Sequence, residues 1–343
     1  MTAPLLIPVF LPHQGCPFHC IFCDQHLLAT EKNDLLLSPA RVTEEVRTWL
    51  DRSRTADRHV EVAFYGGSFT MLPPSVQTSL LAAISPFVAA KKVHAIRVST
   101  RPDGITAEKL SLLQKHNVTT VELGVQSMTP NVLVRSRRGH TREQVISAVR
   151  LLRDRGFTIG LQLLPGLPGE TTASCLASAR AAAALNPDFV RLYPALVLPG
   201  TELARMHQKG EYTPLSLKKA VLLCSRLREI FIRNTIPVIR TGIQPTDALA
   251  ASSVLGPFHP SFGELVLAHC AFRTIARMAG RKTAAKQEVT IHFNPADSSI
   301  VHGHKKNNTI RWRNKGIFRL LHFVADDSLP RHHLLVDGQT AIY

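Results

Sequence analysis

The stretch QGCPFHCIFCDQ, residues 14–25, carries Cys16, Cys20 and Cys23 at the spacing Cys-x3-Cys-x2-Cys. Thiolates set this closely in a loop can wrap one soft metal centre, and a closed structural site normally takes four ligands. Two completions are open. His13, His19 or His26 could add a nitrogen and make a Cys3His zinc site, or a [4Fe–4S] cluster could leave one iron free for an exogenous ligand. The remaining cysteines, Cys175, Cys224 and Cys270, are scattered, which argues against a disulfide framework. They sit in apolar helical patterns such as KKAVLLCSRL and read as buried, inert thiols.

The elements that must hold this loop alternate along the chain. IPVFLP precedes SPARVTEEVRTWL, VEVAFYGG precedes PSVQTSLLAAISPFV, and AIRVST precedes TAEKLSLLQKH. TVELGVQS, TIGLQLLPG and FVRLYPALV each run into a further helical pattern, giving six strand-plus-helix units up to about Arg240. Near-continuous apolar strands of this kind belong to a parallel sheet buried on both faces. The sequence therefore predicts an α/β fold, a partial (β/α)6 barrel over residues 1–240, with the loops after its strands forming the active face. A doubly wound sheet shares the alternation and is the competing architecture. After TGIQPTD the pattern changes to the helix FGELVLAHCAFRTIARMAG. Strand-like pieces follow, EVTIHFNP, SSIVHG and KKNNTIRWRNKGIFRLLHFV, so residues 241–343 read as a small basic α+β domain.

The 343 residues carry 41 Lys and Arg against 25 Asp and Glu, a formal charge of +16, which attracts polyanions and points to RNA. In the C-terminal segment Lys305, Lys306, Arg311, Arg313, Lys315 and Arg319 surround Trp312. That mixture of charge and aromatic plane suits phosphates and stacked bases; a solvated sheet face is the plainer alternative. The N-terminal apolar run is interrupted by prolines and lacks preceding basic residues, so no signal peptide is expected. No apolar stretch has the length of a bilayer span, and a cytoplasmic location without membrane contact is the default expectation.

Later segments recur in an order that resembles the radical S-adenosylmethionine (radical SAM) superfamily. The cysteine spacing, with Phe22 before the last cysteine, is followed by YGGSFT, STRPDGI, VELGVQS, RRGHT, LLPGLPGE and RLYPALVLPGT. Over residues 5–200 the pattern is most similar to the radical SAM domain of the Elongator catalytic subunit and more distantly to oxygen-independent coproporphyrinogen oxidases. GPFHPSFGELV extends the likeness to the Elongator group. The resemblance implies that Cys16, Cys20 and Cys23 bind a [4Fe–4S] cluster whose open iron is chelated by the methionine part of S-adenosylmethionine. An external electron donor would then drive cleavage to a 5′-deoxyadenosyl radical that takes a hydrogen atom from a substrate, with tRNA or other RNA as the expected class. A small metabolite or tetrapyrrole substrate, and a zinc-containing non-catalytic RNA-binding protein, are the rival readings. In the Elongator subunit an acetyltransferase domain follows; here the basic segment stands in that place, so acetyl transfer is not carried over.

The same resemblance assigns cofactor contacts, several with a plainer alternative. Phe22 would pack on adenine or simply fill an apolar loop. Gly66 and Gly67 would bring backbone carbonyls to the cofactor ammonium or form an ordinary turn. Ser99 and Arg101 would meet the carboxylate or ribose, or cap the next helix. Glu122 and Gln126, four residues apart on one strand, would share the barrel interior, with Gln126 on the ribose hydroxyls, or be buried polar groups satisfied by backbone. Gln162 and the turn with Pro165, Gly166 and Gly169 would edge the adenine, and Tyr193 would line the substrate side. Arg138 and His140 are basic groups expected near the mouth or on a helix surface. His259, between prolines, reads equally as a turn residue.

Overall fold

A computed structural model describes residues 4–11, 14–17, 19–24, 37–53, 58–279, 288–314 and 320–343. Seven strands, β1 (Leu5–Leu11), β2 (Val60–Gly66), β3 (Ala95–Thr100), β4 (Val118–Gln126), β5 (Thr158–Leu163), β6 (Phe189–Leu192) and β7 (Val238–Thr241), lie side by side in sequence order. All are parallel, with helices crossing between them, so the sheet curls into a partial barrel. The seventh strand goes beyond the six expected from sequence. Its four residues, VIRT, are too short for a periodic signal and remain partly exposed at the edge of the sheet.

Alternation at period two builds two different interiors. Val62, Phe64, Val98, Val121, Leu123, Ile159, Leu161 and Val190 face the helices and form the main apolar core. The residues between them, including Glu61, Arg97, Glu122, Gln162 and Arg191, meet on the concave side, where the hydrogen bonds described below join them. The outer helices start where a hydroxyl can accept an otherwise unpaired backbone N–H. Thr106, Thr141, Thr171, Thr201 and Ser216 each cap the helix that follows, and Thr141 with Gln144 forms a reciprocal capping box.

The C-terminal region holds a four-stranded sheet of β8 (Glu288–Phe293), β9 (Leu320–Ala325), β10 (His333–Val336) and β11 (Gln339–Ile342), in the order β11-β10-β8-β9. β8 and β9 are parallel; β10 runs antiparallel to both β8 and β11. Two stretches expected as strand-like are helices instead, Ser298–His302 and Asn307–Asn314. Asn308 and Trp312, one helical turn apart, are buried at 3% and 0% exposure, and this tertiary anchoring overrides the β-branched Thr309 and Ile310. Trp312 lies parallel to Phe272 at 5.3 Å inside a second apolar core, so it is no platform for a base. The side chain of Arg313, and Lys315 and Arg319, fall outside the described residues.

Candidate cofactor pocket and its charged floor

The cysteine loop follows β1 directly and is fastened at several points. Gly67 and Ser68 donate backbone N–H groups to the carbonyls of Leu11 and Gln14 at 2.7 and 2.9 Å. Ile21 is buried between Val197 and Leu203, donates to Ser136 O and accepts from Leu203 N at 2.8 Å. The Gly66–Gly67 pair is needed for this packing. A Cβ on Gly67 would sit 2.0 Å from Gln14 O and 2.7 Å from Leu11 O, and Gly66 adopts a φ of +99°. The glycines thus serve as the seat of the cysteine loop.

Cys16, Cys20 and Cys23 line a single pocket at the carboxyl ends of the strands. Around it stand Phe22, Gly66, Gly67, Ser99, Arg101, Gln126, Arg138 and Gln162, residues singled out from sequence, together with His19. Thr100 and Gly124 complete the lining and were not anticipated. Arg138, only 7% exposed, donates Nη1 to Cys20 Sγ at 3.3 Å and Nη2 to Gly124 O at 2.5 Å, which sets a positive charge beside a thiol. Gly124 makes room for it, since a Cβ there would lie 2.6 Å from the guanidinium. The register shift between β4 and β5 at this point puts Gln126 at φ +65°, so the simple count of four residues from Glu122 does not hold.

Arg101 uses its paired donors on Asp103, with Nε and Nη2 both at 2.9 Å from the carboxylate oxygens. The Ser99 hydroxyl, by contrast, is buried with no hydrogen-bond partner.

Beneath the pocket lies a floor of charge. Fully buried Glu122 accepts from Arg97 Nη1 at 2.8 Å, Arg191 Nη2 at 3.0 Å and Gln162 Nε2 at 2.8 Å. Arg97 also reaches Glu61 at 2.6 Å, and Arg191 reaches the hydroxyls of Tyr65 and Tyr193 at 2.9 and 3.3 Å. Burial opposes ionisation of Glu122, but Arg191 and the hydrogen-bonded Arg97 outweigh it and hold the carboxyl below its ordinary value. Burial first, then the Glu122 charge, pushes the Tyr65 phenol up. Gln162 is the link, because it borders the pocket with the same amide that donates to Glu122.

Several residues named from sequence are not on the pocket lining. Glu122 lies one layer below, and Tyr193 belongs to the same floor through Arg191. His140 is buried behind the lining, where burial followed by the charges of Arg138 and Arg101 pushes its imidazole down to about 3. Gly166 and Gly169 form a separate turn that donates Gly166 N to Glu170 at 2.7 Å. His259 accepts from Ser261 N at 3.0 Å and so structures the turn before the helix Phe262–Ala279. His13 and His26 lie outside the described residues, and His19 is exposed.

The residues present fit an iron–sulfur cluster with a bound sulfonium nucleotide. Three thiols border a common space, glycines keep its walls free of Cβ atoms, and a buried serine hydroxyl waits without a partner. Among the described residues no three of His, Cys, Asp and Glu come close enough to share one ion, so the trio borders a pocket rather than closing on a point.

Such a fold and such a pocket define a cluster-dependent radical enzyme, and the chain belongs to the radical SAM superfamily: that family matches residues 10–182, and the radical SAM C-terminal domain matches residues 187–271. Several curated proteins and solved structures are similar to this chain. A tRNA uridine(34) acetyltransferase of Methanocaldococcus jannaschii is 34% identical over 181 residues, 52% of this chain and 33% of the relative. Human Elongator complex protein 3 is 32% identical over 139 residues, 40% of this chain and 25% of that protein. An archaeal Elp3 structure from Methanocaldococcus infernus superposes with a TM-score of 0.61 at 23% identity, over 79% of this chain and 63% of that one, a likeness of fold. The chain thus spans about a third of the length of the curated acetyltransferases of the two Methanocaldococcus species it matches. Among the described residues no helix is long and apolar enough to cross a membrane.

Proposed function

We propose that this radical SAM enzyme acts on RNA, with the residues of the pocket holding its cofactors. The observation that carries the cofactor assignment is the convergence of Cys16, Cys20 and Cys23 with Ser99, Gln126 and Gln162 on one pocket. Cys16, Cys20 and Cys23 would hold the cluster; Ser99, Gln126, Gln162 and the backbone around Gly66 would hold S-adenosylmethionine, with Phe22 on its adenine side. When bound, these groups supply one electron and a carbon radical able to remove a hydrogen atom. The chain does the rest. Arg138 sets charge beside Cys20, the Ser99 hydroxyl offers a polar contact made only with a ligand, and the Glu122 layer closes the pocket below and fixes the Gln162 amide. Enclosure from beneath restricts water to the open side, which protects a reactive species.

RNA as the substrate is supported by the charge of +16 and by relatives named for tRNA uridine modification. The radical SAM family covers residues 10–182 of this chain, so radical chemistry on the nucleotide, rather than acetyl transfer, is the reading these residues support. After anaerobic reconstitution, dithionite should yield deoxyadenosine from S-adenosylmethionine, and cellular tRNA should accelerate it and emerge with a changed nucleoside mass. Cys20→Ala should abolish cleavage while leaving the barrel folded. Cleavage by that variant counts against the ligand assignment; cleavage indifferent to every RNA tested counts against the substrate.

A further inference from the structure

Among the described residues, the connection between the parallel strands β8 and β9 includes a helix, a tight turn and a second helix, Ser298–His302 and Asn307–Asn314 joined through residues 303–306. Gly303 sits at φ 75°, ψ 160°, and a Cβ on it would lie 2.9 Å from the Asn308 side chain and 3.1 Å from its backbone nitrogen. Asn308, almost fully buried, donates Nδ2 to Ala268 O at 2.8 Å and to Val301 O at 3.2 Å. It thereby ties the turn both to the helix Phe262–Ala279 and to the end of the preceding short helix. Trp312, one turn on, anchors the second helix in the core.

What this scaffold holds outward is basic. His304, Lys305, Lys306 and Asn307 are all exposed, and among the described residues neither lysine meets a carboxylate. The second helix adds Arg311, whose guanidinium lies 3.8 Å over the Phe272 ring.

A glycine turn between two short helices, packed on a sheet and leading with basic side chains, is how K-homology (KH) modules clamp about four nucleotides by their backbone. Their turn reads Gly-x-x-Gly. Here it reads Gly303-His304-Lys305-Lys306, and Lys306, at φ 57°, keeps the backbone conformation that the second glycine favours while adding a charge.

We infer that the C-terminal unit is a KH-like clamp that grips the phosphate backbone of a single-stranded RNA segment at residues 303–307. The inference rests on the RNA reading above and adds to it the surface and the kind of strand.

The test uses the full, anaerobically reconstituted chain, with fluorescence anisotropy of a labelled unstructured 12-nucleotide RNA, its duplex and the matching single-stranded DNA over a range of salt. Wild type should favour the single-stranded RNA. Lys305→Asp with Lys306→Asp should weaken that binding at least tenfold and flatten the log–log salt slope by about 1.4, two phosphates at about 0.7 each. Lys218→Asp with Lys219→Asp makes the same charge change on the exposed first turn of the helix Leu217–Arg233 and should cost less than threefold. Deoxyadenosine formation without RNA should be unchanged in both, showing that the barrel and its cofactors are intact. If the Asp pair fails to fold, Lys305→Asn with Lys306→Asn tolerates the left-handed backbone and should still cost threefold or more. Equal losses at both sites would overturn the clamp in favour of unspecific charge. Binding by wild type and turn variants alike would overturn the clamp and leave RNA as a substrate. Tighter binding of DNA or duplex would reject the single-stranded RNA assignment. No binding by wild type to any probe, with tRNA also failing to stimulate cleavage, would reject the RNA reading itself.

Discussion

Replacing Glu122 with leucine takes a carboxylate away from two guanidiniums and an amide that it serves at 2.8 to 3.0 Å. The two arginines are not equally hurt. Arg97 keeps Glu61 at 2.6 Å, whereas Arg191 keeps the phenols Tyr65 and Tyr193, which are neutral. Breaking a buried pair from one side costs about 3–5 kcal/mol, chiefly because a charge is left buried without compensation. Since Arg97 remains compensated, the cost falls on Arg191, and the lower end, about 3 kcal/mol, is expected. For a chain of 343 residues, at about 1–2 °C per kcal/mol, that lowers the melting temperature by roughly 3–6 °C. Removing Arg191 as well, in Glu122→Leu with Arg191→Leu, eliminates the stranded charge and should recover at least about 1 kcal/mol relative to Glu122→Leu alone. Denaturant unfolding followed by circular dichroism measures both. The pH dependence gives a second check, because a carboxyl held below its unfolded value stabilises the fold above that value, and the contribution is lost as pH falls through the folded value. Wild type should therefore lose stability on acidification below about pH 4 more steeply than the leucine variant. A single variant within 1 kcal/mol of wild type, or a double variant no better than the single, would refute the reasoning.

Gly67→Ala pushes a Cβ onto the carbonyls of Gln14 and Leu11, so the cysteine loop must shift. Iron and sulfide bound per chain after reconstitution should fall several-fold while the far-ultraviolet circular dichroism spectrum is kept; full loading would show that the loop adapts. Trp312→Ala should cost about 3–5 kcal/mol through the cavity it leaves beside Phe272. Trp312→Leu keeps the helix anchored by an apolar side chain without the aromatic plane, so its RNA affinity should match wild type, and a selective loss would restore the tryptophan as a stacking platform. Burial pushes the Glu170 carboxyl up to about 7, so the fold prefers its protonated form, and its contribution to stability falls as pH rises from about 4 through 7. Glu170→Gln removes that dependence: melting temperatures at pH 5.5 and 8 should differ less in the variant, and identical differences would contradict the assignment.

How much of this could be read in advance depended on the range of the interactions. The cysteine spacing is local, and the strand–helix alternation is a pattern repeated along the chain, so both were legible. Arg101 shows a local signal overlooked: Asp103, two residues on, takes its paired donors. The charged floor is different. Glu61, Arg97, Glu122 and Arg191 each stand alone among apolar neighbours in sequence, and only the curling of strands 25 to 69 residues apart joins them. Gln126 looked like an ordinary strand residue because a register shift leaves no mark in composition. The helix Asn307–Asn314 was hidden by β-branched residues, since what makes it a helix is the burial of Asn308 and Trp312 against another element.

The second apolar core includes Ala220 and Cys224 from the last long helix of the barrel as well as Phe272 and Trp312. The helix Phe262–Ala279 packs on that helix, on β7 and on the C-terminal elements together. The basic turn is therefore joined to the catalytic half by a beam and not by a tether. A strand held at one end would be measured out from a constant origin, as by a ruler, so the nucleotide that arrives over the cysteines would be chosen by its distance along the chain from the grip. Specificity of that sort needs little reading of the bases themselves.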